Sequence, residues 1–239
     1  MKTYYILFLL IVFVPQRSSA QIMDDSGTYL NPIKTELQKK WPANRTVNLV
    51  FHGHSVPSGY FKTPHVSTLD SYPYLTLKNV KDLYPHAVVN SITTSIGGEQ
   101  SEQGVKRFKD DVLSHKPDVL FIDYALNDRR IGLTRAKKAW EKMIQEAIAY
   151  GTKVILLTPT PDLNEDIQSP NSELAKYSGQ IRELAKKYKI GLVDSYMLFQ
   201  KIAKTEDLNT YMAQSNHINK KGHQVVAKAI LDLFNSESK

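Results

Sequence analysis

LVFHGHSVPSGY, Leu49 to Tyr60, opens as an apolar run and then breaks into Gly53, His54, Ser55, Pro57 and Gly59. A buried strand that gives way to Gly, Ser and Pro reads as strand, tight turn and new helix. Such a turn at the end of a strand suits four uses: a nucleophile, a metal site, a phosphate loop or a plain turn. The neighbouring pattern limits the choice. Runs rich in Val, Ile and Leu recur at Val47–Gly53, Ala87–Ile92, Val119–Ala125, Val154–Thr158 and Gly191–Asp194. They are short and apolar on both faces, as buried parallel strands are. Helix-period segments lie between them. In TRAKKAWEKMIQEAIAYG, Thr134 is placed to cap and Gly151 to stop a helix whose stripe is Ala136, Ala139, Trp140, Met143, Ile144, Ala147 and Ile148. A last helix carries Val225, Val226, Ala229, Ile230, Leu233 and Phe234 on one face. The alternation predicts a three-layer α/β/α sandwich around a central parallel sheet of about five strands. In such folds the reactive crevice lies at the carboxyl ends of the strands. SIGGEQS, YALNDRR and Ser55 all follow strands, and QSNHINKKGH precedes the last helix, so these polar loops share one rim.

Composition sets the outer limits. A chain of 239 residues with 41% hydrophobic content has enough apolar mass for one large core. MKTYYILFLLIVFVPQRSSAQ has a basic Lys2, an apolar run from Tyr4 to Val14, and Ser18, Ser19 and Ala20 before Gln21. This is the layout of a secretory signal (residues 1–20), its apolar run short for a membrane span. The reading is a signal, a lead-in over residues 21–45 and one catalytic domain over 46–236, exported from a bacterium to the periplasm or medium. The alternative is an uncleaved N-terminal anchor. There is no cysteine, which excludes disulfides, a thiolate nucleophile, thiolate metal ligation and a lipid-bearing Cys. The formal charge is +7, with basic residues spread along helices rather than clustered with aromatics. That argues against nucleic acid as a partner and leaves a mild attraction to acidic polymers.

The chemistry can now be weighed. Gly53 to Gly59 is one residue too long for a Walker loop, and Tyr60 stands where its Lys is needed. His52 and His54, at alternate strand positions, would face one side as a metal pair, joined by Asp123, Asp128 or His217. No H-E-x-x-H or other convincing ligand spacing supports that reading, which remains as a metal-dependent alternative. A serine nucleophile uses more of the chain. Its hydroxyl needs a base within hydrogen-bond reach and donors aimed at the developing oxyanion. Ser55, His217, Asn127 and the backbone of Gly98 can fill these roles from separate loops. Singly, each has a plainer role: Ser55 a helix cap, Gly98 a turn, Asn127 a loop residue, His217 the entry to the last helix. Asp128 and Arg129 read as structural, and His223 as a surface or packing residue of the last helix.

Four blocks in order, GHS, GGEQSEQG, ALND and QSNHINKKGH, together resemble the SGNH (GDSL-type) esterases and lipases from about Val47 to Phe234. The resemblance implies a flavodoxin-like SGNH hydrolase fold with Ser55 as nucleophile and His217 as base. It further implies Ser55 N–H, Gly98 N–H and the Asn127 amide as oxyanion donors, with no metal or organic cofactor. His54 stands where that family has Asp, Ala125 where it has Gly, and Gln214 where it has the triad acid. Gln214, a backbone carbonyl or Asp207 would then orient His217. Exported bacterial members often remove acetyl groups from polysaccharides, which implies a short-acyl carbohydrate esterase. Tyr60 and Tyr124 are expected to line the sugar or acyl pocket, and Asp162–Pro170 to select the substrate. A carbohydrate-binding relative without catalysis is the alternative.

Overall fold

The computed structural model describes residues 20–22 and 28–235; of the segment read as a signal, residues 1–20, all but Ala20 lies outside them. The strands are β1 (Ala20–Ile22), β2 (Thr46–Gly53), β3 (Val88–Thr93), β4 (Val119–Asp123), β5 (Lys153–Leu157) and β6 (Gly191–Val193), with a small pair β7 (Met212–Gln214) and β8 (His217–Ile218). The main sheet runs β1-β6-β5-β4-β2-β3, with β2 to β6 parallel and β1 antiparallel on the β6 edge. The helices are α1 (Asn31–Gln38), α2 (Ser55–Ser58), α3 (Tyr72–Leu83), α4 (Ser101–Lys106), α5 (Phe108–Asp111), α6 (Ala125–Asp128), α7 (Leu133–Ala149), α8 (Glu173–Tyr188), α9 (Ser195–Ile202) and α10 (Lys220–Asn235). From β2 the chain turns to β3 on one side and then crosses to β4 on the other. The order therefore reverses between β2 and β4, the point at whose carboxyl ends folds of this kind place their ligand crevice.

Alternation along the strands sorts two cores. Val47, Leu49, Phe51, Val119, Phe121, Ile155, Leu157 and Val193 face one layer, with α1, α3, α9 and α10. Val50, Leu120, Ile122, Val154, Leu156 and Leu192 face the other, with α5, α7 and α8. The expectation of strands apolar on both faces holds for β4 and fails for β3, an edge strand whose Val88 is exposed. Within the lead-in, Leu30, Ile33 and Leu37 at and within α1 are buried in the first core. Beyond the end of β6, Tyr29 Oη accepts from Val154 N (2.8 Å) and donates to Val154 O (3.1 Å), covering backbone that β6 is too short to pair. Burial pushes that phenol up to about 12.

Helix α7 shows what the sequence determines and what it does not. Its stripe from Ala136 to Ala147 is buried as expected, but Ile148 is exposed. Gly132 (φ 79°), rather than Thr134, leads into the helix. At the far end, Gly151 (φ 89°) donates to Ile148 O and Thr152 N to Ala147 O, the paired bonds that a left-handed glycine allows. Among the described residues, no helix is long and apolar enough to cross a membrane.

Candidate active site

Strand β2 ends at Gly53 because the chain must pass against β4 there. A Cβ at Gly53 would lie 2.3 Å from Asp123 O and 2.9 Å from Pro57 Cγ. The next residue, His54, is the N-cap of α2, its Nδ1 accepting from Val56 N at 3.2 Å. Ser55 is thus the first helical residue rather than the cap, and its N–H has no intrahelical acceptor. Gly59 (φ 89°) closes the helix, and Tyr60 N returns to Ser55 O at 3.0 Å. With Nδ1 accepting, the His54 proton sits on Nε2, 3.2 Å from Asp123 Oδ1 at an angle short of a hydrogen bond. Tyr72 Oη donates to the other Asp123 oxygen at 3.0 Å.

Ser55 Oγ lies 2.8 Å from His217 Nε2. His217 Nδ1 is 2.9 Å from Phe61 O, and a carbonyl only accepts, so Nδ1 carries the ring proton. Nε2 is left with a lone pair aimed at the serine hydroxyl. Burial pushes His217 below the usual imidazole range; the Phe61 bond opposes this, and nearby His54 adds to it. The ring is therefore neutral at neutral pH, as a proton acceptor must be.

The residues expected to orient His217 stand elsewhere. Gln214 Oε1 accepts from Thr63 N (3.0 Å) and its Nε2 donates to Asn216 Oδ1 (3.0 Å). Gln214 thus fastens the loop that presents Phe61 O, and does not touch the imidazole. Asp207 is exposed and caps a 3-10 turn through Asn209 N at 2.9 Å. The Phe61 carbonyl occupies Nδ1, so neither side chain is needed there and neither reaches it.

Gly98 (φ 78°) follows β3 in a conformation that disfavours any side chain, although a Cβ would meet nothing within 4 Å. Asn127, in α6 after β4, donates one Nδ2 hydrogen to Glu99 O at 2.9 Å, leaving the second free. The Glu99 side chain turns the other way. Arg107 grips it, Nε on Oε1 at 2.8 Å and Nη2 on Oε2, and Tyr124 Oη donates to Oε2 at 2.7 Å. The single Tyr124 proton is spent on Glu99, so His52 Nε2, 3.0 Å away, donates to the Tyr124 oxygen. Burial, then the Arg107 charge, pushes His52 down to about 3, so it stays neutral. Tyr124, expected in the pocket, is instead fully buried behind it, where Gly104 gives it room: a Cβ there would sit 2.3 Å from Oη. Tyr60 does border the site, its ring 6.1 Å from that of His217 and packed on Gly97.

The metal pairing of His52 with His54 is not formed. Strand β2 has ended before His54, and the two rings take separate partners, Thr94 and Tyr124 for one, Asp123 and Val56 for the other. Among the described residues no group of three or more His, Asp or Glu is arranged to hold a metal ion. Asp128 and Arg129 are structural. Buried Asp128 accepts from Ser101 N and Trp140 Nε1, both at 2.7 Å, and burial raises its carboxyl above the usual range. Arg129 binds Asp162 (2.7 Å) and Glu165, holding the loop after β5, where Leu163 N donates to Ser215 O at 2.7 Å beside the His217 loop. His223 is fully buried, stacked on Phe61, with Nδ1 accepting from Tyr72 N at 3.1 Å.

A parallel α/β sandwich with a Ser–His contact at its switch point is a carboxylic-ester hydrolase in class. The chain belongs to the GDSL-like Lipase/Acylhydrolase family, whose profile matches residues 51–225. It is 27% identical over 175 residues to a Bacillus subtilis (strain 168) protein called uncharacterized lipoprotein YqeF, covering 59% of this chain and 72% of that one. By structure it is similar to the acetylxylan esterase Axe2 of Geobacillus stearothermophilus: TM-score 0.70, 20% identity, 80% of this chain and 95% of that one. It is also similar to a two-domain esterase (CEX) active on acetylated mannans: TM-score 0.74, 20% identity, 90% of this chain and 54% of that one.

Proposed function

We propose that this protein is an exported serine esterase that removes short acyl groups, acetyl above all, from carbohydrate. The observation that carries the proposal is the 2.8 Å contact of Ser55 Oγ with His217 Nε2, with Nδ1 held by Phe61 O. His217 takes the Ser55 proton as Oγ bonds to the ester carbon. The oxyanion is met by the N–H groups of Ser55 and Gly98 and by the free Asn127 amide hydrogen. The tetrahedral species collapses to acyl-Ser55 as His217 hands the proton to the leaving alcohol, and water repeats the sequence. Phe61 O fixes the imidazole tautomer, which is half of what a triad acid does; it supplies no full charge for the imidazolium. The rate is therefore expected below that of a complete triad. Catalytic mutants of Axe2 include one each at a serine, an aspartate and a histidine, and this chain departs in the middle member.

Acetylated carbohydrate as substrate is supported by the structural neighbours, an acetylxylan esterase and an esterase active on acetylated mannans. Export is supported by the N-terminal pattern and by the lipoprotein name of the Bacillus relative. The decisive experiment is fluorophosphonate labelling with peptide mass spectrometry: an adduct on Ser55 is expected, and labelling elsewhere or none overturns the mechanism. Acetate release from a panel of acetylated glycans then tests the substrate class.

A further inference from the structure

Among the described residues, Arg45, Arg107, Arg129, Arg135 and Arg182 each pair with a carboxylate. Arg130 alone has none. It is exposed, one turn beyond Asn127, and its Nη1 donates to Gly98 O at 3.3 Å. The one described arginine without an acid is therefore anchored to the carbonyl of Gly98, the glycine whose N–H is proposed above as an oxyanion donor. Nearby carboxylates are already committed: Glu99 to Arg107 and Tyr124, Asp162 to Arg129 and Asn164, Glu165 to Arg129 and Leu174 N. A guanidinium has five N–H donors in a planar fork, and the Gly98 bond uses one. The rest match a planar carboxylate in two-point contact. Across the site, Lys62 is exposed next to Phe61 and also has no carboxylate partner among the described residues.

From this we infer that the substrate is acidic: Arg130 receives a carboxylate on the esterified sugar or its neighbour, so the enzyme acts on acylated uronic-acid glycans. The inference rests on the ester-hydrolase reading of the same rim and adds the charge of the substrate to it. It also gives the basic chain a use, since a positive rim draws an acidic polymer.

The test compares kcat/KM on acetylated galacturonate oligomers and on acetylated xylo-oligomers, which are neutral. The wild type is expected to favour the acidic substrate, less so as salt rises. In Arg130→Gln the acidic-to-neutral ratio should fall about tenfold, the size of one lost charge-assisted contact; Arg130→Lys, which keeps charge but not the fork, should fall between. Equal losses on both substrates would make Arg130 an anchor for the Gly98 loop only, and an unchanged ratio would also overturn the inference. A second arm needs no turnover. Calorimetry with Ser55→Ala should show de-esterified galacturonate oligomers binding more tightly than xylo-oligomers, a difference removed by adding Arg130→Gln. Equal affinities overturn the inference. If that difference stands while the wild type hydrolyses neither ester, the esterase reading fails and the acidic site remains.

Discussion

Glu99→Gln keeps the shape of the side chain and removes its charge, so it tests whether the buried network behind the site supports the reaction. The carboxylate accepts three bonds, two from Arg107 and one from Tyr124. An amide has one oxygen and one NH2 group, so in either orientation it presents a donor to a donor. At least one charge-assisted bond is lost, and a largely buried guanidinium keeps only the exposed Asp111 carboxylate, 3.2 Å from its Nη1, as counter-charge. A charged hydrogen bond contributes about 1.5–3 kcal/mol, and the Arg107 side chain is 18% exposed, so water returns part of the loss. A net cost of about 2 kcal/mol is expected, which in a chain of this size lowers Tm by roughly 4–8 °C. Activity should suffer as well, because the backbone oxygen of the same residue holds Asn127. Removing an oxyanion donor outright costs about 10²–10³ in kcat, and loosening its anchor should cost roughly tenfold. Calorimetry measures the first effect and steady-state hydrolysis of p-nitrophenyl acetate, well below the variant's Tm, the second. A fall in Tm with kcat intact refutes the coupling: Glu99 would then hold the fold and not the donor.

Other perturbations follow from the same contacts. Because His217 is held below the usual imidazole range, kcat/KM should rise with pH through a midpoint below 6.5 and stay level above it; a midpoint above 6.5 would mean that the ring is stabilised as imidazolium. His52 and His223 both lie near 3 in the fold and near 6.5 when unfolded. The unfolded chain then binds more protons, and stability is lost as pH falls from about 6.5 toward 3. Urea midpoints that do not move between pH 7 and pH 5 would contradict this. Gly53→Ala should abolish activity and lower stability, since its Cβ meets backbone that cannot yield; a soluble, fully active variant would show that the β2–β4 approach has slack. His54→Ala removes the α2 cap, worth about 1 kcal/mol, and leaves Asp123 facing no ring. The cost read in a denaturant titration should exceed that of a cap alone, and a smaller one argues that Asp123 does not depend on His54.

The sequence exposed the parts of this protein that depend on residue type and period. Short runs of Val, Ile and Leu, apolar on both faces, mark the strands, the stripe from Ala136 to Ala147 marks α7, and Ser55, Gly98, Asn127 and His217 are the residue types that the proposed acyl transfer asks for. The structure brings Ser55 to His217, and Asn127 to the residue after Gly98. What stayed hidden depends on tertiary contact. The partner of His217 is a carbonyl, which every residue has, so Phe61 bears no mark of it. Tyr124 reads as a pocket-lining aromatic until Gly104 is seen to leave a space for it behind the site. His54 looks like half of a metal pair until β2 stops one residue earlier and its ring becomes a cap. Arg130 differs from the other described arginines in lacking a carboxylate partner, and partners are not written in sequence.

The bond from His217 Nδ1 to Phe61 O carries a consequence for how this enzyme can be altered. A base oriented by a carboxylate side chain is disabled by one substitution. One oriented by the main chain cannot be disabled in that way, since every replacement at position 61 except a change of loop course keeps the carbonyl. Alanine scanning would pass over it. Its weak point is length: a residue inserted or deleted between Tyr60 and Thr63 would move the oxygen away from the ring, and releasing Thr63 N from Gln214 would let it drift. Engineering His217 as the proposed proton acceptor is a matter of loop geometry, with the amino-acid alphabet at position 61 left open.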